Sequence, residues 1–493
     1  MNPFAPFFTK LKMKFSSGHW PVFVAGIISS FINLFLPTLL VRMLTPEDIG
    51  IYKIYFLYIH SFTFLSLAGA PLYSVFYYIG KKEGKEYIDH AWKMATLLSL
   101  VALAIGILFS STISERINLT QQQTLLLLFS GALIPPSSFY GEYLVAKGKT
   151  LSGPLFHSAF EVFKGVGIIL AAYLTRDINT TFIVFGITFL IKFLLSLILG
   201  LKDRLITLKI DIHKMKEIFI YCAPMSSAGL LGFFLEKIDM LTLSSYLSPT
   251  DFAFYSMGCL VVPPLFILEM SVTKVLMPKL SKLWHESKLR EMGLSLKKAQ
   301  EDIAFLMIPA VCGLIIYSRP IIELLFTDQY LESIPYLRIF ALSYLTYIIP
   351  HDTIARATGK TKWILKVYLV ITPLSLIAVT YSAKFHGALS ALTLTVIFRF
   401  IPKFWGLYYS SQKTGLSILE LLPLRSWGLN LLTNMILLIL VLTLKPLFKT
   451  ELIWFFSTAP LYLIGFFSIH LLFKIKRRQN LHHKDNVKNG ENI

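Results

Sequence analysis

From about residue 19 to residue 474 the chain is a near-continuous series of apolar stretches, interrupted only by short polar turns. A helix needs about twenty apolar residues to cross the hydrocarbon of a bilayer. In lipid every backbone N–H and C=O must find its partner inside the segment, and an alternating strand pattern is absent, so the stretches predict helices. Fourteen spans are expected, at 19–42, 49–79, 88–111, 123–146, 151–174, 180–201, 217–247, 251–279, 300–318, 334–357, 362–383, 385–410, 418–444 and 451–474. Composition agrees: 15% of the residues are charged and 55% hydrophobic, where a soluble chain is about one quarter charged. A soluble multidomain enzyme is excluded. Disorder is expected only in the polar tail after Lys474. The predicted fold class is an all-α polytopic membrane protein.

Lys and Arg number 47 against 28 Asp and Glu, a net charge of +19. No soluble basic domain exists to present that charge to nucleic acid, so it is assigned to loops and lipid headgroups. One set of loops carries most of it: Lys10, Lys12 and Lys14, then Lys81, Lys82 and Lys85, then Lys147 and Lys149, then the stretch from Lys202 to Lys216, and onward to a tail with Lys474, Lys476, Arg477 and Arg478. The alternate loops hold little beyond Arg116, Arg176, Arg319, Lys384, Lys445 and Lys449. The bias places both termini in the cytoplasm, which requires an even number of spans. The first stretch is too long for the core of a cleaved signal and is expected to be an uncleaved anchor. Cys222, Cys259 and Cys312 lie inside apolar runs without metal-ligand spacing, and are expected as small buried hydrophobes.

The sequence repeats itself. Leu44-Thr-Pro-Glu-Asp-Ile-Gly-Ile-Tyr52 returns 203 residues later as Leu247-Ser-Pro-Thr-Asp-Phe-Ala-Phe-Tyr255, each copy in a tight turn between an odd and an even span. Ser/Thr-Pro-x-Asp opens a helix, with Pro in the first turn and an acid near the positive end. Ala146-Lys-Gly-Lys-Thr150 returns 211 residues later as Ala357-Thr-Gly-Lys-Thr361. The expected organisation is a cytoplasmic N-terminus 1–18, a first six-helix half 19–215, a second half 216–415, two appended helices 416–475 and a basic cytoplasmic tail 476–493. Six spans per half give parallel repeats, an architecture of carriers that rock two halves about a central site. The repeated Gly-Lys-Thr is not a nucleotide loop, because Tyr143 and Ile354 stand where the first glycine of that loop must be. Each copy reads as a helix end capped by glycine.

Ionisable groups at bilayer depth cost several kcal/mol unless they face water or a partner. His157, Glu161 and Lys164 fall at i, i+4 and i+7 of the fifth span, one polar stripe that serves either a cavity or a self-neutralised packing pair. Lys192 stands mid-way along the sixth span without an acid within one turn. Glu236 and Asp239 share a face of the seventh span, and Glu269 and Lys274 lie in the eighth below Pro263-Pro264. Arg42 and Lys53 flank the first repeat turn. Arg399 and Lys403 are one turn apart in the twelfth span, with Lys403 expected at the interface. The prolines at 135–136, 263–264 and 350 are expected to break helices at depth.

The stretch from Val41 to Tyr52 resembles the start of Wzx-type polysaccharide flippases, as do Asp239 in Lys-Ile-Asp-Met-Leu-Thr-Leu, the turn 247–255, and the run from Tyr330 through Phe340 to Thr361. These flippases belong to the multidrug/oligosaccharidyl-lipid/polysaccharide exporter superfamily, and the resemblance covers essentially the whole chain. Ala253 replaces Gly50 in the second repeat, a departure from the first. The resemblance implies export of an oligosaccharide on undecaprenyl pyrophosphate, from the inner to the outer leaflet of a bacterial inner membrane, by alternating access, for O-antigen or a similar surface polysaccharide. It implies membrane lipids, a polysaccharide polymerase and chain-length proteins as partners, without nucleic acid, nucleotide, metal or cofactor, and without catalytic residues. On this reading Lys164, Lys192 and Arg399, with Arg42 and Lys53, bind the headgroup, and Glu161, Asp239 and Glu269 balance charge or couple a cation. The alternatives are a drug/cation antiporter of the same superfamily, which wants a carboxylate-dominated cavity, and a polytopic polymerase or glycosyltransferase. The second needs a large loop or an Asp-x-Asp motif, neither of which the sequence has.

Overall fold

The computed structural model describes residues 29, 31–32, 34–79, 84–149, 151–207 and 209–490. The expected N-terminal segment 1–18, the start of the first span at 19–28, Lys10, Lys12, Lys14, Lys81, Lys82 and Thr150 lie outside the described residues. Every regular element among the described residues is a helix. In order they are α1 (34–40), α2 (Pro46–Leu65), α3 (Ala70–Tyr78), α4 (Gly84–Leu108), α5 (Ser110–Ile117), α6 (Gln121–Ala146), α7 (Ser152–Thr175), α8 (Ile178–Lys202), α9 (Ile212–Leu243) and α10 (Pro249–Gly258). The chain goes on through α11 (Pro263–His285), α12 (Leu289–Ile316), α13 (Ser318–Phe326), α14 (Ile334–Leu342), α15 (Thr353–Ala357), α16 (Thr361–Thr414), α17 (Ile418–Leu421), α18 (Leu424–Leu444) and α19 (Glu451–Gly490). Eight helices among the described residues are long and apolar enough to cross a membrane, or ten if each of two broken pairs is one span. One of the eight, Lys362–Thr414, is 53 residues long. It turns at Gly387 (φ 81°), where two spans are expected to meet. Exposed side chains at Leu97, Leu100, Val101 and Ile105 make an outward apolar stripe on α4, the surface a lipid-facing helix presents. The chain is a multi-pass membrane protein.

Two compact units emerge: one holds the chain up to Met257 with Tyr368–Thr395, the other Gly258–Val367 with the chain from Val396. In the first unit both repeat turns cap their helices as the sequence dictates. Thr45 accepts from the Asp48 amide while Asp48 accepts from the Thr45 amide. The Ser248 hydroxyl likewise accepts from the Asp251 amide at 3.1 Å. The two turns meet. A Cβ on Gly50 would fall 1.7 Å from the Pro249 carbonyl oxygen, so both turns lie at the same end of the bundle, as a parallel repeat requires. Tyr58 Oη and Ser244 Oγ are 3.0 Å apart, and Asn118 donates to the Ser244 carbonyl at 3.1 Å, joining the same region. The second expected span is broken into α2 and α3, bent by 64° around Leu67 with its positive φ.

Pro135 and Pro136 sit inside α6, which continues through them, contrary to the expected break. One turn further on, neighbours bond this helix: Trp92 of α4 donates to the Pro136 carbonyl at 3.3 Å, and Ser196 of α8 accepts the Tyr140 amide at 3.2 Å. The glycines of the second repeated motif close their helices as expected, with φ +79° at Gly148 and +71° at Gly359. Residues 203–211, which join α8 to α9, are stitched to the start of α4. Buried Asp89 accepts from Lys93 and from the Thr207 hydroxyl, both at 2.6 Å, while the Asp211 amide donates to His90 Nε2 at 2.8 Å. Asp211 also caps α9, and the backbone N–H of Lys214, then that of His213, hold its carboxyl below the usual range.

In the second unit α12 is central. Asn430 of α18 donates to its Ala304 carbonyl at 2.9 Å, and Tyr462 of α19 to its Pro309 carbonyl at 3.0 Å. The expected tenth span is not one helix but α14, a 3-10 turn Ser343–Ile348 and α15, with Pro350 in the irregular link. Tyr344 of that turn donates to the Leu260 carbonyl at 2.6 Å and accepts the Val262 amide at 2.8 Å, which pins the backbone just before Pro263. The helix α19 is bounded at Gly490. Cys222 and Cys259 are buried and Cys312 is half-buried.

Candidate functional site

The first unit gathers ionisable groups from five helices. On α7 the predicted stripe is present: Lys164 Nζ lies 2.6 Å from Glu161 Oε2. His157, one turn before Glu161, brings Nε2 to 3.6 Å from Glu142 Oε1 of α6. Gly141 permits this approach, since a Cβ there would lie 2.4 Å from His157 Nε2. Lys192 of α8 is 4% exposed. Among the described residues it makes no hydrogen bond or ion pair; its ammonium lies 5.5 Å from the Phe189 ring centre and 5.9 Å from that of Phe160. Its counter-charges are Glu161 and Glu142, with Lys164 a like charge in the same field. So the acids that balance Lys192 come from α6 and α7 and not from its own helix.

His60 of α2 and Lys237 of α9 complete the group. His60 Nδ1 donates to the Phe56 carbonyl at 2.6 Å, which leaves Nε2 as an acceptor in the field of Lys237, Lys164 and Glu161. Sequence reasoning missed His60 and Glu142. Nothing at either position marks which way the helix faces, and only the packing of α2 against α6 and of α6 against α7 supplies it. The arrangement is a mixed cluster of lysines and carboxylates. Glu161 holds Lys164 by direct contact, while Lys192 is balanced through space only. In a low-dielectric interior such a lysine attracts an anion with hydrogen-bond acceptors, such as a phosphate oxygen.

The remaining predicted residues are placed elsewhere. Arg42 is exposed beside the first repeat turn and donates to the Thr38 carbonyl. Lys53 is half-buried on α2, about 10 Å along the axis before His60. Asp239 is 1% exposed. It accepts from the Tyr255 hydroxyl at 2.5 Å, and its Oδ1 has no hydrogen-bond partner among the described residues. Tyr255 is the last residue of the second repeat motif, so the motif fixes this carboxylate. Glu236, expected on the same face as Asp239, is instead exposed and faces Lys237 at 3.8 Å. In the second unit Arg399 is half-buried over the Phe340 ring at 5.5 Å, and Glu269 accepts from Thr273 at 3.2 Å. Lys403, expected at the interface, is a half-buried donor to His351 at 3.2 Å. Its helix packs against the irregular 349–352 segment, where Gly406 lies against His351.

With this geometry in hand, similarity to known proteins is informative. The profile of a family described as polysaccharide biosynthesis protein matches residues 39–335. The capsular polysaccharide biosynthesis protein CapF of Staphylococcus aureus is 24% identical over 387 residues, 76% of this chain and 94% of CapF. Among solved structures, the lipid II flippase MurJ in an inward closed conformation superposes with a TM-score of 0.73 at 17% identity, covering 92% of this chain and 98% of that one. The MATE transporter VcmN of Vibrio cholerae gives 0.52 at 14% identity over 80% of this chain and 94% of its own. These likenesses show the fold.

Proposed function

The chain belongs to the family of polysaccharide biosynthesis proteins, and from that premise we propose that it is a flippase for a lipid-linked oligosaccharide. The cargo is a sugar repeat unit on a polyprenyl pyrophosphate. It moves from the inner to the outer leaflet of a bacterial inner membrane by alternating access, in surface polysaccharide biosynthesis. The observation that carries this reading is the buried Lys192 with its through-space counter-ions, beside the Lys164–Glu161 pair. A pyrophosphate needs cationic donors at low dielectric, while its polyprenyl tail stays in lipid. Lys164 and Lys192 are the headgroup ligands, and Glu161 and Glu142 hold the lysines when no anion is bound. Arg399, Arg42 and Lys53 are further headgroup ligands, and Asp239 and Glu269 balance charge or couple a cation. A membrane potential negative inside assists outward movement of the anion by about 2.3 kcal/mol per charge per 100 mV.

The same reading holds fourteen spans with both termini cytoplasmic, two six-helix halves at 19–215 and 216–415, and no enzymatic step. The MATE likeness favours a drug/cation antiporter as the alternative. A cation substrate would place the two lysines of the cluster against like charge, which counts against it.

The test is depletion of the protein in its own cell. The lipid-linked repeat unit should accumulate with its sugar facing the cytoplasm, and re-expression of the wild type should clear it. Accumulation of single repeat units already on the outer face would assign the chain to polymerisation. Altered drug sensitivity with normal polysaccharide would assign it to the antiporters.

A further inference from the structure

The duplication extends to backbone conformation. Left-handed φ occurs at Gly148 (79°) and Gly359 (71°), at Arg176 (50°) and Gly387 (81°), and at Arg204 (53°) and Gly415 (70°). Each pair is separated by 211 residues. Asn118 (55°) and Thr327 (73°) form a fourth pair, 209 residues apart. These residues close helices, so they mark where each helix of one half ends relative to its counterpart. The same spacing carries Lys202, in the last turn of α8, onto Lys413, in the last turn of α16. It carries Lys192 onto Lys403. The two lysines thus hold one position of the repeat, each about 15 Å before the end of its helix.

Their surroundings differ, since Tyr140 and not a histidine stands 211 residues before His351. Lys403 Nζ donates to His351 Nδ1 at 3.2 Å. An ammonium only donates, so Nδ1 is the unprotonated nitrogen and Nε2 carries the proton. That Nε2 is buried and has no hydrogen-bond partner among the described residues; the same is true of His157 Nε2 in the first unit. Gly406 builds the second arrangement, since a Cβ there would fall 2.4 Å from the His351 carbonyl oxygen. Only a glycine lets α16 lie against residue 351 and hold the imidazole beside Lys403. Asp352 and Glu269 supply negative charge and Arg356 a further positive one. Asp352, although paired with Arg356, is the first counter-charge to Lys403, and Glu269 is the second.

We propose that Lys403 Nζ and His351 Nε2–H form a second anion-binding position, in the second unit, that receives a phosphate group of the lipid-linked substrate. Asp352 and Glu269 neutralise Lys403 when no anion is present and yield when one arrives. A half-buried ammonium beside a buried N–H donor without an acceptor is matched by an oxyanion, which satisfies both at once. This inference rests on the flippase reading and adds a ligand set to it.

The test uses the full chain in lipid nanodiscs, titrated with undecaprenyl pyrophosphate and, separately, with inorganic pyrophosphate. Lys403→Ala and His351→Ala should each weaken binding of both probes by about tenfold or more, the usual worth of a charge-assisted hydrogen bond. Lys403→Arg and His351→Gln, which keep a donor and most of the volume, should lose less and serve if the alanine variants do not fold. Wild-type affinity in a folded Lys403→Ala overturns the second position. If that variant also loses export when Lys192 is replaced, the flippase reading survives the failure. Weakening with inorganic pyrophosphate alone overturns the assignment to a lipid headgroup. A wild type that binds neither probe and leaves export unchanged on depletion fails both readings together.

Discussion

Replacing Gly50 with alanine should separate the two repeat turns and destabilise the first unit more than any other glycine substitution near them. The added Cβ would stand 1.7 Å from the oxygen, 2.3 Å from the carbon and 2.9 Å from the Cα of Pro249. An ordinary contact is about 3.5 Å, so the turns must move apart by nearly 2 Å. All three atoms are backbone, so no rotamer change relieves them. Overpacking of this kind costs about 1–3 kcal/mol, and this case belongs at the upper end. A displacement of that size also stretches the Tyr58–Ser244 and Asn118–Ser244 hydrogen bonds, each worth about 1 kcal/mol. The expected total is about 3–5 kcal/mol. At about 2–4 °C per kcal/mol for a domain of 150–250 residues, the apparent unfolding temperature in detergent should fall by roughly 10 °C. Gly229 and Gly232, with nothing within 4 Å of a Cβ, are the controls. Alanine there should be neutral or stabilising by up to about 1 kcal/mol. A Gly50→Ala protein as stable as the wild type would refute the close approach of the turns. The contact also explains why the second copy carries Ala253: the first turn receives the proline of the second, so it alone must lack a side chain.

Tyr255→Phe removes the hydroxyl that Asp239 accepts and leaves a buried carboxylate short of a donor, so denaturation should be easier by about 1–3 kcal/mol. Asp89→Ala should free residues 203–211, and trypsin should then cut inside-out vesicles at Arg204 or Lys209, sites the wild type protects; protection in the variant would contradict the strap. Glu161→Gln strips the counter-ion from Lys164 and the nearer acid from Lys192, so export should fall while protein level holds. Adding Lys164→Gln should recover stability but not export, because an ion pair replaced as a pair costs less than one partner left alone.

Helix order, the two capped turns and the glycine-closed ends were legible because they depend on local chemistry. Thr45, Pro46 and Asp48 act within one turn, and Gly148 needs only its own φ. The stripe on α7 was legible for the same reason. What failed required knowledge of neighbours. Continuity of α6 through Pro135 and Pro136 goes with burial of that stretch among helices that are distant in sequence. The bend between α2 and α3 has no proline at its apex, only Leu67 in a left-handed conformation. The contact of Lys403 with His351 was hidden because the irregular segment before α15 reads as a plain apolar span. Yet the partnership of Lys403 with Lys192 was present in the sequence: the spacing of 211 residues that links the Gly-Lys-Thr motifs links the two lysines. His60, Glu142 and His351 carry no comparable mark.

The central claim is that the chain moves a pyrophosphate-linked saccharide and that Lys192 holds its headgroup. The most direct measurement reconstitutes the purified protein into liposomes with a fluorescent undecaprenyl pyrophosphate-linked oligosaccharide and follows loss of signal to a membrane-impermeant quencher. The account predicts rapid translocation by the wild type, a rate lower by about tenfold or more for Lys192→Ala, and partial activity for Lys192→Arg, where charge survives but geometry differs. Translocation by folded Lys192→Ala at the wild-type rate would contradict the headgroup role, and a wild type that leaves the lipid in its original leaflet would contradict the account itself.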